Sequence, residues 1–215
     1  QSKAHLLAEG VPSNRIVLIG NPIYEVMKHY EPQIEASDIL QRLGLREGDY
    51  YLVTTHRAEN VDRPASLHAI MDGLNRVAEM SSKRLICSIH PRTRSRIEQD
   101  LKLEMHPLVE FYEPFGFFDF VKLEKHALCA LTDSGTVQEE CCILRVPAVT
   151  VRTSTERPET VDCGSNVLAG VDRRSILEAV RLMSGMNADW DCPEGYEERN
   201  VSRKVAACLL GGGSV

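Results

Sequence analysis

Short apolar runs alternate with segments of helical period along most of this sequence. Residues 15–19, 50–55, 84–89, 108–112, 128–132 and 148–151 are rich in Ile, Val, Leu, Tyr and Cys. They read as strands. Near-continuous apolar runs, rather than strict alternation, indicate strands covered on both faces, as in a parallel sheet. Between them, Leu67, Ile70, Met71, Leu74 and Val77 fall three or four apart on one helical face. Asp62 is placed to cap that helix, and Pro64 lies in its first turn, where its missing N–H costs little. Asp172 is placed to cap a second helix, with Ile176, Val180 and Met183 as its stripe. Shorter helices are predicted over residues 37–43, 117–125, 135–144 and 202–210. Strand–helix alternation at this spacing predicts an α/β fold, a doubly wound parallel sheet with helices on both faces. In such folds ligands bind at the carboxyl ends of the strands, so the residues after each run carry the chemistry.

Composition narrows the function classes. The chain has 215 residues, 43% of them apolar and 26% charged, close to the average for soluble globular proteins and unlike disordered, collagenous or repeat chains. A net charge of -6 gives no overall field for nucleic acid or an anionic membrane, and neither partner is expected. No apolar run approaches the roughly 20 residues that span a bilayer. The seven cysteines, at 87, 129, 141, 142, 163, 192 and 208, include no C-x-x-C pair. That argues against a disulfide framework or a zinc site and for a reducing, cytoplasmic setting. No metal or cofactor is expected.

Four of the strand ends carry polar residues suited to an anion. The first is Thr55-His56-Arg57-Ala58-Glu59-Asn60-Val61-Asp62, in which His56 can donate to phosphate oxygens or shuttle a proton near neutral pH. It also reads as a loop of caps and salt bridges. The second is His90-Pro91-Arg92-Thr93-Arg94-Ser95-Arg96, whose arginines can face an anion or form a solvated helix start.

The third, Asp133-Ser134-Gly135-Thr136-Val137-Gln138-Glu139-Glu140, is the most informative. A small Ser-Gly-Thr turn leads straight into a helix. Its free N–H groups and dipole suit phosphate, and Gly135 lets a diphosphate approach the backbone. Ser134 and Thr136 add hydroxyl donors, and Glu140 can accept two hydrogen bonds from a vicinal diol such as ribose. The alternative is an ordinary capped helix with Ser134 as N-cap. The pattern is neither a Walker loop nor G-x-G-x-x-G, so ATP and NAD are not indicated. The fourth is Arg152-Thr153-Ser154-Thr155-Glu156-Arg157-Pro158-Glu159, suited to phosphate or to an Arg–Glu network holding a loop. Phe115, Phe117, Phe118 and Phe120 cluster after another run and can stack a nucleobase or pack in the core. Jointly these features point to a nucleoside-diphosphate site.

Thr55-His56-Arg57-Ala58-Glu59-Asn60, Asp133-Ser134-Gly135-Thr136-Val137-Gln138-Glu139-Glu140 and Thr155-Glu156-Arg157-Pro158-Glu159 resemble, in order and spacing, three signature motifs of the UDP-N-acetylglucosamine 2-epimerases of the non-hydrolysing type. Gly20-Asn21-Pro22 and His90-Pro91 add to the resemblance, which runs from about residue 3 to residue 209. It implies a Rossmann-like domain of a two-domain, glycosyltransferase-B-type fold with UDP in the interdomain cleft. It further implies a cytoplasmic isomerase of polysaccharide biosynthesis, a homodimer at full length. Such enzymes interconvert UDP-N-acetylglucosamine and UDP-N-acetylmannosamine by eliminating UDP and adding it back. Carried over, His56 is the catalytic histidine near the diphosphate. Ser134, Gly135 and Thr136 hold the diphosphate, and Glu140 holds the ribose. Phe120 and the backbone at Phe115 flank uracil, and Arg157 sits at a phosphate or domain-locking position. The family's chains are nearly twice as long. Residues 1–20 therefore read as the end of a mostly absent N-terminal domain and residues 21–215 as the C-terminal UDP-binding domain, which is not expected to be active alone. Relatives acting on other UDP-2-acetamido sugars, including those making UDP-N-acetyl-L-fucosamine, share much of the pattern, as do glycosyltransferase nucleotide domains.

Overall fold

The computed structural model describes residues 2–100 and 104–211, and among these six parallel strands form one sheet. The strands are β1 (Tyr50–Thr54), β2 (Arg84–Ser88), β3 (Val109–Tyr112), β4 (Cys129–Thr132), β5 (Ala148–Thr150) and β6 (Asn166–Leu168). Their order across the sheet is β3-β2-β1-β4-β5-β6. The order reverses between β1 and β4, and the crevice at their carboxyl ends is where doubly wound sheets bind ligands.

The helices are α1 (Ser2–Ala8), α2 (Pro22–His29), α3 (Glu31–Glu35), α4 (Ile39–Leu43), α5 (Ala58–Val61), α6 (Pro64–Ser81), α7 (Pro91–Asp100), α8 (Phe117–Lys125), α9 (Gly135–Leu144), α10 (Pro158–Asp162), α11 (Arg173–Ser184) and α12 (Val201–Leu210). Successive strand side chains point to opposite faces of the sheet. Tyr51 and Val53 meet Leu67, Met71 and Leu74 of α6 and Ile176 and Val180 of α11. Tyr50 and Leu52 meet Ile39 of α4, Leu123 of α8 and Val137 and Cys141 of α9. Both faces are thus sealed, which explains the continuous apolar runs. At Gly73 an added Cβ would lie 3.2 Å from Ile176 Cδ1, so the absent side chain lets α6 and α11 pack closely. A third cluster, including Tyr24, Met27, Cys142, Ile143, Trp190 and Tyr196, docks α2 and the segment before α12 behind α9.

Three expectations differ from what is observed. Residues 15–19 are not a strand: a single 3-10 turn covers Ser13–Arg15, and Val17 and Leu18 are 43% and 63% exposed. The β propensity there finds no partner strand among the described residues to complete a ladder. Instead the chain joins the fold at Asn21, whose N–H donates to the Gly195 carbonyl and whose side chain caps α2 through Ile23 N. Asp62 does not cap α6. It closes the short α5, and Arg63 holds the N-cap position, with Pro64 following as expected. The missed strand is β6. Asp172 does cap α11, accepting from Arg174 N at 2.9 Å and Ser175 N at 3.1 Å.

Candidate functional site

β1 and β4 are neighbours in register, and their last residues touch: Thr54 Oγ1 and Thr132 Oγ1 are 2.7 Å apart. The next residue after β4, Asp133, is fully buried. Its Oδ2 accepts hydrogen bonds from Thr55 Oγ1 at 2.9 Å, His56 N and Arg57 N at 3.0 Å each, and Asn60 Nδ2 at 3.1 Å. A buried carboxylate is tolerable only with such compensation. The converse holds too: Asp133 folds the segment from Thr55 to Asn60 around itself. His56 Nδ1 lies 3.3 Å from Asp133 Oδ1. With its proton on Nδ1, the half-exposed imidazole has Nε2 left to meet a ligand.

The loop after β5 is organised by a second buried ion. The Arg152 side chain is 5% exposed; Nε donates to Glu59 Oε1 at 2.7 Å, and the two terminal nitrogens fork onto Glu156 at 2.8 and 3.0 Å. The Arg152 hydrogen bonds hold the Glu156 carboxyl down at about 2, against a smaller upward push from burial. Glu59 and Glu156, the carboxylates of the first and third motifs, are therefore engaged by Arg152. Gln138, fully buried in α9, accepts from Thr155 Oγ1 at 2.6 Å, and Thr155 Oγ1 in turn accepts from Arg157 N at 3.0 Å. Arg157 Nε donates to Glu139, and its terminal nitrogen reaches the Glu156 carbonyl at 3.0 Å. The Arg157 side chain thereby lies across Gly135, 3.7 Å from where a Cβ would stand.

α9 starts at this junction. Ser134 occupies its N-cap with extended backbone angles, but its hydroxyl makes no capping bond. The hydroxyl and the first N–H groups of the helix stay available to an anion. Glu140, on the same helix, is 5% exposed, and no hydrogen bond from the described residues reaches its carboxyl. Burial, then the nearby Glu139 charge, pushes it up to about 8. Beneath it Glu124 is fully buried, accepts from Cys141 Sγ at 3.2 Å, and is raised well above the carboxylate range by burial and by Glu140.

A cleft of about 530 Å³ opens at the strand ends, within the size range of small-molecule sites. His56, Phe115, Phe120 and Ser134 line it together, with Asp62, Ser88, His90 and Thr93. Gly135, Thr136, Glu140 and Arg157 are not among its walls. They flank it along α9 and the loop after β5. The aromatic cluster divides: Phe115 and Phe120 face the cleft, whereas Phe117 and Phe118 are exposed and pack against Tyr30 with ring centroids 6.3 and 5.4 Å apart. Of the arginines after β2, Arg94 donates to the Phe111 carbonyl at 3.0 Å, and the Arg92 side chain lies outside the described residues. The alternative reading of the fourth segment, an Arg–Glu network holding a loop, is what Arg152 forms. Sequence reasoning missed Asp133 and Gln138 as organisers; for Asp133 the available signal was a polar residue directly after an apolar run, and for Gln138, inside α9, there was none.

Comparison with known proteins is concordant with this geometry. The sequence model of a family described as "UDP-N-acetylglucosamine 2-epimerase" matches residues 1–210. A UDP-N-acetylglucosamine 2-epimerase of Methanocaldococcus jannaschii is 40% identical over 200 residues, covering 90% of this chain and 55% of the relative. A UDP-2,3-diacetamido-2,3-dideoxy-D-glucuronate 2-epimerase of Pseudomonas aeruginosa is 40% identical over 169 residues, covering 78% of this chain and 46% of the relative. The chain thus spans about half the length of the curated relatives it matches. In structure, the Methanocaldococcus jannaschii UDP-GlcNAc 2-epimerase solved with UDP-GlcNAc and UDP superposes with a TM-score of 0.86 at 38% identity, over 95% of this chain and 58% of that one.

Proposed function

Because this chain belongs to the UDP-N-acetylglucosamine 2-epimerase family, we propose that it forms the UDP-binding part of an isomerase that interconverts UDP-N-acetylglucosamine and UDP-N-acetylmannosamine. The observation that carries this reading is the meeting of three motif segments at the β1/β4 switch point, beside a cleft walled by Phe115 and Phe120. The diphosphate takes the free N–H groups of Gly135 and Thr136 and the Ser134 hydroxyl, the Ser134 N–H being held by Thr132 Oγ1 at 3.0 Å, with His56 beside it. Uracil lies along Phe120 and the backbone at Phe115. The ribose diol reaches Glu140, and Arg157 completes the rim over Gly135.

The reaction removes the C2 proton and breaks the C1–O bond, so UDP departs and leaves a 2-acetamidoglucal. UDP then returns to C1 while a proton is delivered to the opposite face of C2. Negative charge grows on UDP as it leaves, and donors already aimed at the diphosphate favour that state over the intact substrate. A base for C2 must reach the proton. Glu59 and Glu156 are held by Arg152, so the reading assigns that step to groups outside these motifs, and the chain alone binds UDP without epimerising. Residues 1–20 then belong to a preceding domain and residues 21–215 to the nucleotide domain of a glycosyltransferase-B-type pair. The longer protein is read as a homodimer, and its sedimentation tests this. Among the described residues no helix is long and apolar enough to cross a membrane, and the seven cysteines are free thiols.

Deuterium oxide tests the activity in the longer protein. Epimerisation places deuterium at C2 of the UDP sugar, whereas a glycosyltransferase leaves C2–H intact. The 40% identity to a 2,3-diacetamido-glucuronate epimerase supports a second reading, an epimerase of another UDP-2-acetamido sugar. Comparing kcat/KM for the two sugars decides between them.

A further inference from the structure

Away from the cleft, behind α9, three thiols converge. Cys142 Sγ is 3.8 Å from Cys163 Sγ and 4.0 Å from Cys192 Sγ. Cys142 is fully buried in α9, and Cys163, just past α10, is half-buried and reachable from solvent. Among the described residues no His, Cys, Asp or Glu group of three or more is arranged to hold a metal ion. The chemistry left to two thiols at this separation is with each other.

We propose that Cys142 and Cys163 form an oxidative modification site, closed to a disulfide by a low-molecular-weight disulfide. Cys163, as thiolate, attacks one sulfur of the oxidant, forming a mixed disulfide and expelling one thiolate. Cys142 then attacks Cys163 Sγ and passes its proton to the second small thiolate, which leaves as a thiol. Two protein thiols are oxidised and one small disulfide is reduced to two thiols. The sulfurs must close from 3.8 Å to about 2.05 Å. Cys163 lies in the turn after α10, and Gly164, which follows it at φ +84°, leaves open space where a Cβ would stand. Cys192 is placed less well, because it is the more distant sulfur. The bond ties the helix that opens at Ser134 to the end of α10, which begins beside Arg157. Burial disfavours the Cys142 thiolate, so Cys142 does not start the reaction; its closeness to Cys163 Sγ lets it resolve the mixed disulfide.

The test treats the folded protein with oxidised glutathione and maps its peptides by mass spectrometry without reduction. The expected product joins the Cys142 and Cys163 peptides, lacks glutathione, reverts with dithiothreitol, and raises the thermal unfolding midpoint. Cys163→Ser gives no such cross-link, while Cys142→Ala traps glutathione on Cys163. A stable glutathione adduct on Cys163 in the unaltered protein, a cross-link to Cys192 in place of Cys163, or modification confined to Cys208 overturns the proposal.

Discussion

Asp133 Oδ1 lies 3.3 Å from His56 Nδ1, and the same carboxylate takes the His56 backbone N–H. One buried charge at the end of β4 thus fixes both the path of the loop after β1 and the orientation of its imidazole. The two residues are 77 apart in sequence, so the contact exists only once the central strands have paired. Asp133→Asn keeps the size but turns an N–H₂ toward donors. It is expected to cost about 2–4 kcal/mol of stability, the usual penalty for breaking a buried, compensated charge. Urea unfolding measures it, and a change within about 0.5 kcal/mol would rule out this organising role.

Gly135→Ala separates folding from binding. Its added Cβ meets the Arg157 side chain at 3.7 Å, an ordinary contact, and its backbone angles are those of a helix start. Stability should stay within about 0.5 kcal/mol. UDP affinity should fall, because the methyl group stands where the diphosphate approaches the N–H groups. Thermal unfolding together with UDP calorimetry checks both halves. Unchanged affinity would remove α9's first turn from the site.

Glu140 makes a pH prediction. Its folded pKa, about 8, lies above the unfolded value of 4.5, so between those values the folded state holds more protons. Stability is then greatest below about pH 4.5 as far as this group is concerned, and falls as pH rises through about 8. The slope is up to roughly 1.4 kcal/mol per pH unit. Glu140→Gln should flatten that part of the profile while weakening UDP binding by about 0.5–1.5 kcal/mol near pH 7, the worth of hydrogen bonds to a largely neutral carboxyl. Thermal unfolding from pH 5 to 9 provides the check, and an unaltered slope in the variant contradicts the assignment.

Arg152→Lys tests the second organiser. The ammonium keeps the charge but loses the fork onto Glu156 and the separate bond to Glu59. The expected loss is about 1–3 kcal/mol, smaller for the Glu156 share because that carboxylate is largely exposed. The Glu156 carboxyl, now freed from the fork, should titrate upward toward the ordinary range by carbon NMR. A Glu156 signal that stays put would show that Arg152 does not hold it.

Strands β1, β2, β4 and β5 were legible because both sheet faces are sealed, which writes each of them as an apolar run, whereas β3, at the sheet edge and half-buried beyond Val109, carries Glu110 and reads less cleanly. β6 was not legible. It is three residues at the sheet edge, beginning with the buried polar Asn166, whose amide serves Gln138 and Thr160. Residues 15–19 carry the same apolar signal as a true strand, but no strand among the described residues pairs with them. At the site, motif residues at strand ends foretold His56, Ser134, Phe115 and Phe120 around one cleft. Asp133's bonds to the loop after β1 and Arg152's bond to Glu59 span 73–93 positions, which no local pattern encodes, whereas the Arg152–Glu156 fork spans four and was legible as an Arg–Glu network.

On the proposed function, this chain holds a nucleoside diphosphate at the β1/β4 switch point. Titration calorimetry of the chain with UDP addresses it most directly, with Phe120→Ala run alongside. Saturable one-to-one binding, weakened by Phe120→Ala, is predicted. Absence of UDP binding by a correctly folded chain, or affinity indifferent to Phe120, would contradict it.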